Sequence, residues 1–373
     1  TTEIYTLSLH DALPISKNED HGDFSCNVAM RLAKTLGKAP RAIAESLIEN
    51  LEYDNTLVSN VEIAGAGFIN VKLTNLYWTN LLEKIDAAGN NFGRHTIGKG
   101  KKANVEYVSV NPTGLLHLGH GRNACIGDTV ANLFEWLGYD VTREYYFNNA
   151  GNQMKILADS IYARYMQLVS NPDFEFPENG YHGDYVRTIA ADLAETYKNQ
   201  LVAGSYQDLS TIRKFGESWC FDKIKKTLSR INVSQDVYFN EDSLYKEGKI
   251  KDTIDELTAL GLTYEKEGAT WLSLSKMGLE DDRVIVKSGG EPTYRLPDIA
   301  YHREKYRRGF DLIVDLFGAD HIATIPDVMA ALRAFNLDTD KMKVLIHQFV
   351  TLTDNVEQVK MSKRTGKSYT LDD

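Results

Sequence analysis

The sequence has few cysteines, no long apolar run and no excess of base, and each lack removes a class of protein. Its 373 residues hold three cysteines, Cys26, Cys125 and Cys220, with no C-x-x-C pair. Thiols so sparse and so far apart fit a reducing, cytoplasmic compartment and argue against a disulfide framework or a thiolate zinc site. No stretch approaches the roughly 18 consecutive apolar residues that span a bilayer, so no membrane partner is expected. Basic residues number 42 against 52 acidic ones, a formal charge of −10. A chain of that sign is not built for sequence-blind nucleic-acid binding, and any such contact must use local basic patches. With 25% charged and 43% hydrophobic residues the composition is globular, and the length allows two or three domains, each with its own core.

The opening residues stand apart. The chain starts at Thr1, and Ser8 to Ile15 resembles translated sequencing-adapter read-through, so residues 1–16 are expected to be non-native. Residues 17–75 read as a small α/β unit. Val28, Leu32 and Leu36 share a helical face that Gly37 would cap, and Pro40 opens a second helix with Ile43, Leu47 and Leu51 on one stripe. Val61 to Leu73 is β-rich and interrupted by Gly65 and Gly67, which suggests a tight turn or bulge. The basic, glycine-containing stretch 94–103 reads as a linker.

Beyond it the period changes. Val105 to Val110 reads as a strand, Asn111-Pro-Thr-Gly114 as a turn, and Ile126, Val130, Leu133, Phe134 and Leu137 as one helical face ending at Gly138. Val141 to Phe147 is the next strand, so the segment forms a βαβ unit and implies a parallel sheet. Residues from about 155 to 275 are mostly polar and helical and read as an insertion. Sheet signals return at Arg283–Val286 with a turn at Ser288-Gly-Gly290, at Asp311 to Leu316, and at Val344 to Val350. A helix from Pro326 through Met329, Leu332 and Phe335 lies between the last two. The expected architecture is α/β: a doubly wound parallel sheet with a helical insertion, plus a small α+β domain ahead of it. In such sheets ligands sit beyond the carboxyl ends of the strands.

Two motifs carry chemistry. His117-Leu-Gly-His120 follows the first strand and its turn at a helix start. Histidines three apart project to one side, Gly119 lets a nucleotide approach the backbone, and the helix N-terminus favours a polyphosphate. Imidazole N–H groups there can donate to phosphoryl oxygens as charge builds up. The spacing could also serve a metal, but no third ligand is evident nearby, and no structural zinc is expected. The second motif, Lys360-Met-Ser-Lys363-Arg364 with Lys367, places four cations in eight residues. Alone it reads as a solvated surface run. Paired with the histidines about 240 residues upstream, it reads as a loop that closes over a leaving pyrophosphate.

That pairing resembles the double signature of class I aminoacyl-tRNA synthetases and of the wider group of nucleotidyltransferases. Further stretches are similar to arginyl-tRNA synthetase: Val105 to Gly114, Tyr145 to Gln153, Tyr294-Arg-Leu-Pro-Asp298-Ile-Ala-Tyr301-His302, and Gly318-Ala-Asp-His321. His21-Gly-Asp-Phe24 and Asn27-Val-Ala-Met30 resemble that family's N-terminal tRNA-binding domain. The resemblance implies a tRNA-binding domain over 17–93 and a Rossmann-like catalytic domain over 104–373. It implies arginine–tRNA ligation: L-arginine attacks the α-phosphate of ATP, with Mg2+ carried on the nucleotide, and the arginyl group passes to tRNA(Arg). His117, His120, Lys360 and Lys363 would be catalytic, and Gly119, Asp320 and His321 would join them around ATP. Glu106, Ser109, Asn111, Tyr294 and Asp298 would hold arginine.

Physical chemistry agrees, since a planar, permanently charged guanidinium is selected by carboxylates in its plane. Taken alone, Glu106 could instead face solvent, and Asp298 after Pro297 could merely favour a helix N-terminus. Asn149 stands where the family commonly has aspartate, and Val110 where alanine is common. The resemblance implies that the family's helical anticodon-binding domain is missing after Asp373. The resemblance also implies a monomer, and because members usually need bound tRNA to activate arginine, the chain is expected to have weak or no activity by itself.

Overall fold

The computed structural model describes residues 21–348, 350, 352–354, 357–359 and 369–373. The chain divides into two compact units, the first ending at Arg94 and the second starting at His95.

The first unit holds β1 (Phe24–Cys26), α1 (Val28–Leu36), α2 (Pro40–Glu49), β2 (Val58–Ala64), β3 (Phe68–Leu73) and α3 (Asn75–Ala88). Its strands form an antiparallel sheet in the order β1-β3-β2 around Ala29, Ile43, Ala44 and Ile69. Gly37 takes the left-handed cap after α1 at φ 61°. Gly67 explains the interruption of the β-rich stretch. Its φ is 137°, and a Cβ there would lie 2.8 Å from the Pro40 carbonyl carbon. Strand β1 and helix α3 had no sequence signal: three residues are too few for a period, and the apolar residues of α3 are scattered.

The second unit opens with β4 (Lys102–Glu106), α4 (Leu118–Trp136) and β5 (Asp140–Phe147). Three helices follow, α5 (Asn152–Val169), α6 (Asp184–Tyr197) and α7 (Tyr206–Arg230), packed on a core of their own. Then come β6 (Val237–Asn240), α8 (Asp242–Lys246), α9 (Lys249–Ala259), β7 (Thr263–Lys266), β8 (Ala269–Leu272) and β9 (Arg283–Val286). The remainder is α10 (Arg295–Arg307), β10 (Leu312–Gly318), α11 (Ile325–Ala334), β11 (Met342–His347) and a short hairpin of β12 (Leu352–Asp354) and β13 (Glu357–Val359).

Five strands make one parallel sheet in the order β11-β10-β4-β5-β6. Alternation along the strands divides its faces. Val105, Tyr145, Val314 and Leu316 pack with α4 and α7, while Ile313 and Met342 pack with α10 and α11. Helices thus cover both faces, as the doubly wound reading requires. Gly127 lets α4 lie close, since a Cβ there would stand 2.2 Å from the Tyr107 ring. The strand order reverses between β4 and β10, so the crevice beyond their carboxyl ends is where a ligand belongs.

Several boundaries differ from the sequence reading. The first strand ends at Glu106, not Val110, because Val108 and Ser109 adopt positive φ and leave the ladder. The last strand of the sheet is Met342–His347 rather than Val344 to Val350. The insertion is not wholly helical: β6 returns to the sheet as its edge, and β7, β8 and β9 form a separate antiparallel sheet. Segment 94–103 is no free linker from His95 onward. Its His95 and Gly98 N–H groups bond the carbonyls of Trp136 and Leu137, and its last two residues begin β4. Among the described residues no helix is long and apolar enough to cross a membrane.

Candidate active site

The crevice at the reversal point holds two adjoining cavities of about 850 and 410 Å³. The larger is lined by His117, Gly119 and His120 from the start of α4, the smaller by Glu106, Asp298 and Glu241. Ser109, Asn111, Asn123, Tyr294, Gly318 and His321 line both, so the two are parts of one cleft.

The histidines build the helix start themselves. His117 is the N-cap of α4, and its Nδ1 accepts the Gly119 N–H at 3.1 Å. His120 reaches back, its Nδ1 accepting the His117 N–H at 3.1 Å, which makes a reciprocal capping box. The rings stack with centroids 3.5 Å apart. With Nδ1 accepting in both, the proton of each neutral ring sits on Nε2. Gly119 also makes room for this fold-back, since a Cβ there would lie 3.0 Å from the His117 ring. Thr370 pairs with His117 in an antiparallel bridge, and Leu371 donates to the Leu116 carbonyl at 2.7 Å.

Below the smaller cavity lies a buried ionic network on the α10 face of the sheet. Glu106 is 3% exposed, which removes the solvent-facing alternative. It accepts from Ser109 Oγ and Tyr301 Oη, both at 2.8 Å, and pairs with the fully buried Lys305. Lys305 also pairs with Asp315, whose other oxygen lies 2.9 Å from His302 Nε2. Burial alone would raise the Asp315 carboxyl, but Lys305 and His302 outweigh it and hold it well below its ordinary value. Glu144 is likewise lowered against its burial, by the two-pronged Arg308 guanidinium and by Lys305.

Asp298 and Glu241 differ. Neither is in an ion pair among the described residues, and burial raises both. Asp298 is pushed up to about 6 by desolvation, with repulsion from Glu106 added and His302 and His321 only partly opposing. Glu241 accepts from Tyr146 Oη at 2.5 Å and Asn148 Nδ2 at 2.6 Å, which offsets part of its desolvation.

Ser109 Oγ accepts the Tyr146 N–H at 3.1 Å, and Asn111 Oδ1 accepts the Asn148 N–H at 2.8 Å, tying the end of β4 to that of β5. Tyr294 is 84% exposed and stands at the rim, not deep beside the carboxylates. His321 stacks on Phe317 at 5.0 Å. Lys360, Lys363 and the side chain of Asp320 lie outside the described residues. Among those described, no cluster of three or more histidine, cysteine or acidic side chains could hold a metal. Sequence reasoning missed Glu241, Asn123 and Lys305. Glu241 directly follows β6, so recognising that strand would have flagged it.

Comparison with known proteins places this chain. The family model described as the catalytic domain of class I (R) tRNA synthetases matches residues 82–373. The chain therefore belongs to that family of class I synthetases. A second model, the arginyl-tRNA synthetase N-terminal domain, matches residues 6–73 and so begins inside the stretch set aside as non-native. The arginine–tRNA ligase of Desulfotalea psychrophila is 47% identical over 359 residues, covering 96% of this chain and 64% of that protein. The Salinibacter ruber ligase is 47% identical, with 95% and 66% covered. The chain thus spans under two thirds of the length of these relatives. A solved Campylobacter jejuni chain assigned to arginyl-tRNA synthetase is similar at 32% identity, TM-score 0.73, over 80% of this chain and 65% of that one. The Thermus thermophilus arginyl-tRNA synthetase shares the fold at 19% identity, TM-score 0.68, with 96% and 64% covered.

Proposed function

We propose that this chain is the catalytic part of a cytoplasmic, monomeric arginine–tRNA ligase. Its substrates are L-arginine, ATP with Mg2+ carried on the nucleotide, and tRNA(Arg). The carboxylate of arginine attacks the α-phosphate, pyrophosphate leaves, and the arginyl group then passes to the terminal adenosine of the tRNA. The observation that carries the reading is Asp298 and Glu241: two enclosed carboxylates in no ion pair among the described residues, facing a cavity that opens into the histidine-lined cleft. Desolvated negative charge of that kind is stabilised by a forked, permanently charged guest.

Arginine fits with its guanidinium at Asp298 and Glu241, over the floor made by the Lys305-paired Glu106, and its α-amino and carboxylate end toward Ser109 and Asn111. The nucleotide then lies over Gly119 and the start of α4, with His321 and Asp320 beside it. His117 and His120 donate to its phosphates as charge develops there. Lys360 and Lys363 neutralise the leaving pyrophosphate, and chain connectivity supports this, since Thr370, seven residues past Lys363, is bridged to His117. Positioning and charge stabilisation supply the catalysis, with no covalent enzyme intermediate.

Calorimetric titration with L-arginine, L-lysine and L-citrulline tests the reading. Arginine is expected to bind, lysine far more weakly, and citrulline, which keeps the shape without the charge, not measurably. Equal binding of citrulline and arginine would refute it.

A further inference from the structure

Beyond the groups that would touch substrate, one side chain shapes the backbone of the cavity. After β4 the chain takes a step few L-residues tolerate, with Val108 at φ 70° and Ser109 at φ 44°. For a β-branched residue the left-handed region is a steric outlier, and such outliers persist only where their surroundings over-determine them. The step turns Ser109 back toward its own strand, where Oγ donates to Glu106. The Val108 side chain is buried, 7% exposed.

Asn123, buried on α4 one turn past His120, occupies the inside of that step. Its Oδ1 accepts the Val108 N–H at 2.6 Å, and its Nδ2 donates to the Leu316 carbonyl at 3.1 Å and lies 3.0 Å from His347 Nε2. His347 Nδ1 lies 3.1 Å from the Gln348 carbonyl, so the neutral ring carries its proton there and Nε2 accepts from Asn123. One amide thus ties together the carboxyl ends of β4, β10 and β11, with its carbonyl and both its protons used.

We infer that Asn123 is a positioning residue of the arginine site: it clamps Val108 in the left-handed region and so sets Ser109 and Glu106 against the cavity. The inference rests on the arginine reading for its effect on affinity, but not for its effect on the backbone. The test reads L-arginine affinity by calorimetry and hydrogen exchange of the peptide spanning 107–111.

Asn123→Ala leaves a buried N–H unpaired and is expected to weaken arginine binding about tenfold or more and to speed exchange of that peptide. In a Val108→Gly background residue 108 holds its positive φ without the clamp, so adding Asn123→Ala is expected to cost about threefold at most. Equal losses in both backgrounds overturn the inference, because a packing role would not be rescued by glycine. If the unmutated chain binds no arginine, the arginine reading has failed. Exchange then decides the role of Asn123, and protection of 107–111 unchanged by Asn123→Ala overturns it. Where the alanine variant does not fold, Asn123→Gln, which displaces the amide by one methylene, replaces it in the same comparison.

Discussion

Two groups of carboxylates lie at the same end of the sheet and have opposite character. Glu106, Glu144 and Asp315 are matched by Lys305 and Arg308, and the matched pair Asp315 and Glu144 are held below their ordinary pKa. Glu241 is met by neutral donors, Asp298 is only partly offset by His302 and His321, and both are raised. The first group spends its charge inside the protein and fixes the floor of the cavity. The second leaves negative charge unbalanced, which is costly in the empty site and available to a cationic ligand. The contrast teaches that burial alone does not identify a ligand carboxylate; burial without an ion pair does.

The comparison can be broken from either side. The largest effect is expected from Lys305→Met, which strands Glu106 and Asp315 without their cation. Urea denaturation at pH 7.5 should show a loss of about 3–5 kcal/mol. Because Asp315 is depressed in the folded state, its contribution is present above the unfolded carboxylate pKa of 3.8 and is lost as pH falls, so the deficit should shrink toward pH 3.

Asp298→Asn should act with the opposite sign on stability. Its carboxyl is raised to about 6, so its folded-state advantage exists below the unfolded value of 3.8 and is lost as pH rises through 6. At pH 7.5 the asparagine variant should melt higher than the parent, with the gain vanishing near pH 3, while arginine binding falls about 10- to 100-fold. A lower melting temperature at pH 7.5 would place Asp298 with the matched group. Glu241→Gln should weaken arginine binding by roughly threefold to tenfold, since the Tyr146 hydrogen bond survives the change. Tyr294→Phe should be the mildest: at the rim, its hydroxyl is worth about twofold or less by calorimetry.

Much of the fold was legible because local period and punctuation agreed with it. Val28, Leu32 and Leu36 with Gly37, Pro40, the βαβ run from Asn104 and the Pro326 helix all appear close to where the pattern puts them. What escaped was long-range. Strand β6 is four residues long and pairs with β5 some ninety residues earlier, so no window of sequence contains the information that it joins the sheet. Likewise no local pattern marks Lys305, which is wholly buried because Glu106 and Asp315 face it from two strands. The motif residues of the cleft were legible from their resemblance to a family. Glu241 and Asn123 were not, since their importance comes from what the sheet brings beside them.

The central claim is that Asp298 and Glu241 await a cation, and proton linkage tests it most directly. Arginine binding measured calorimetrically in buffers of different ionisation enthalpy should release about half a proton per arginine at pH 6, because a carboxyl with a pKa about 6 must ionise to receive the guanidinium. The release should disappear by pH 8. Binding that is equally tight at both pH values, with no proton released at pH 6, would contradict the account.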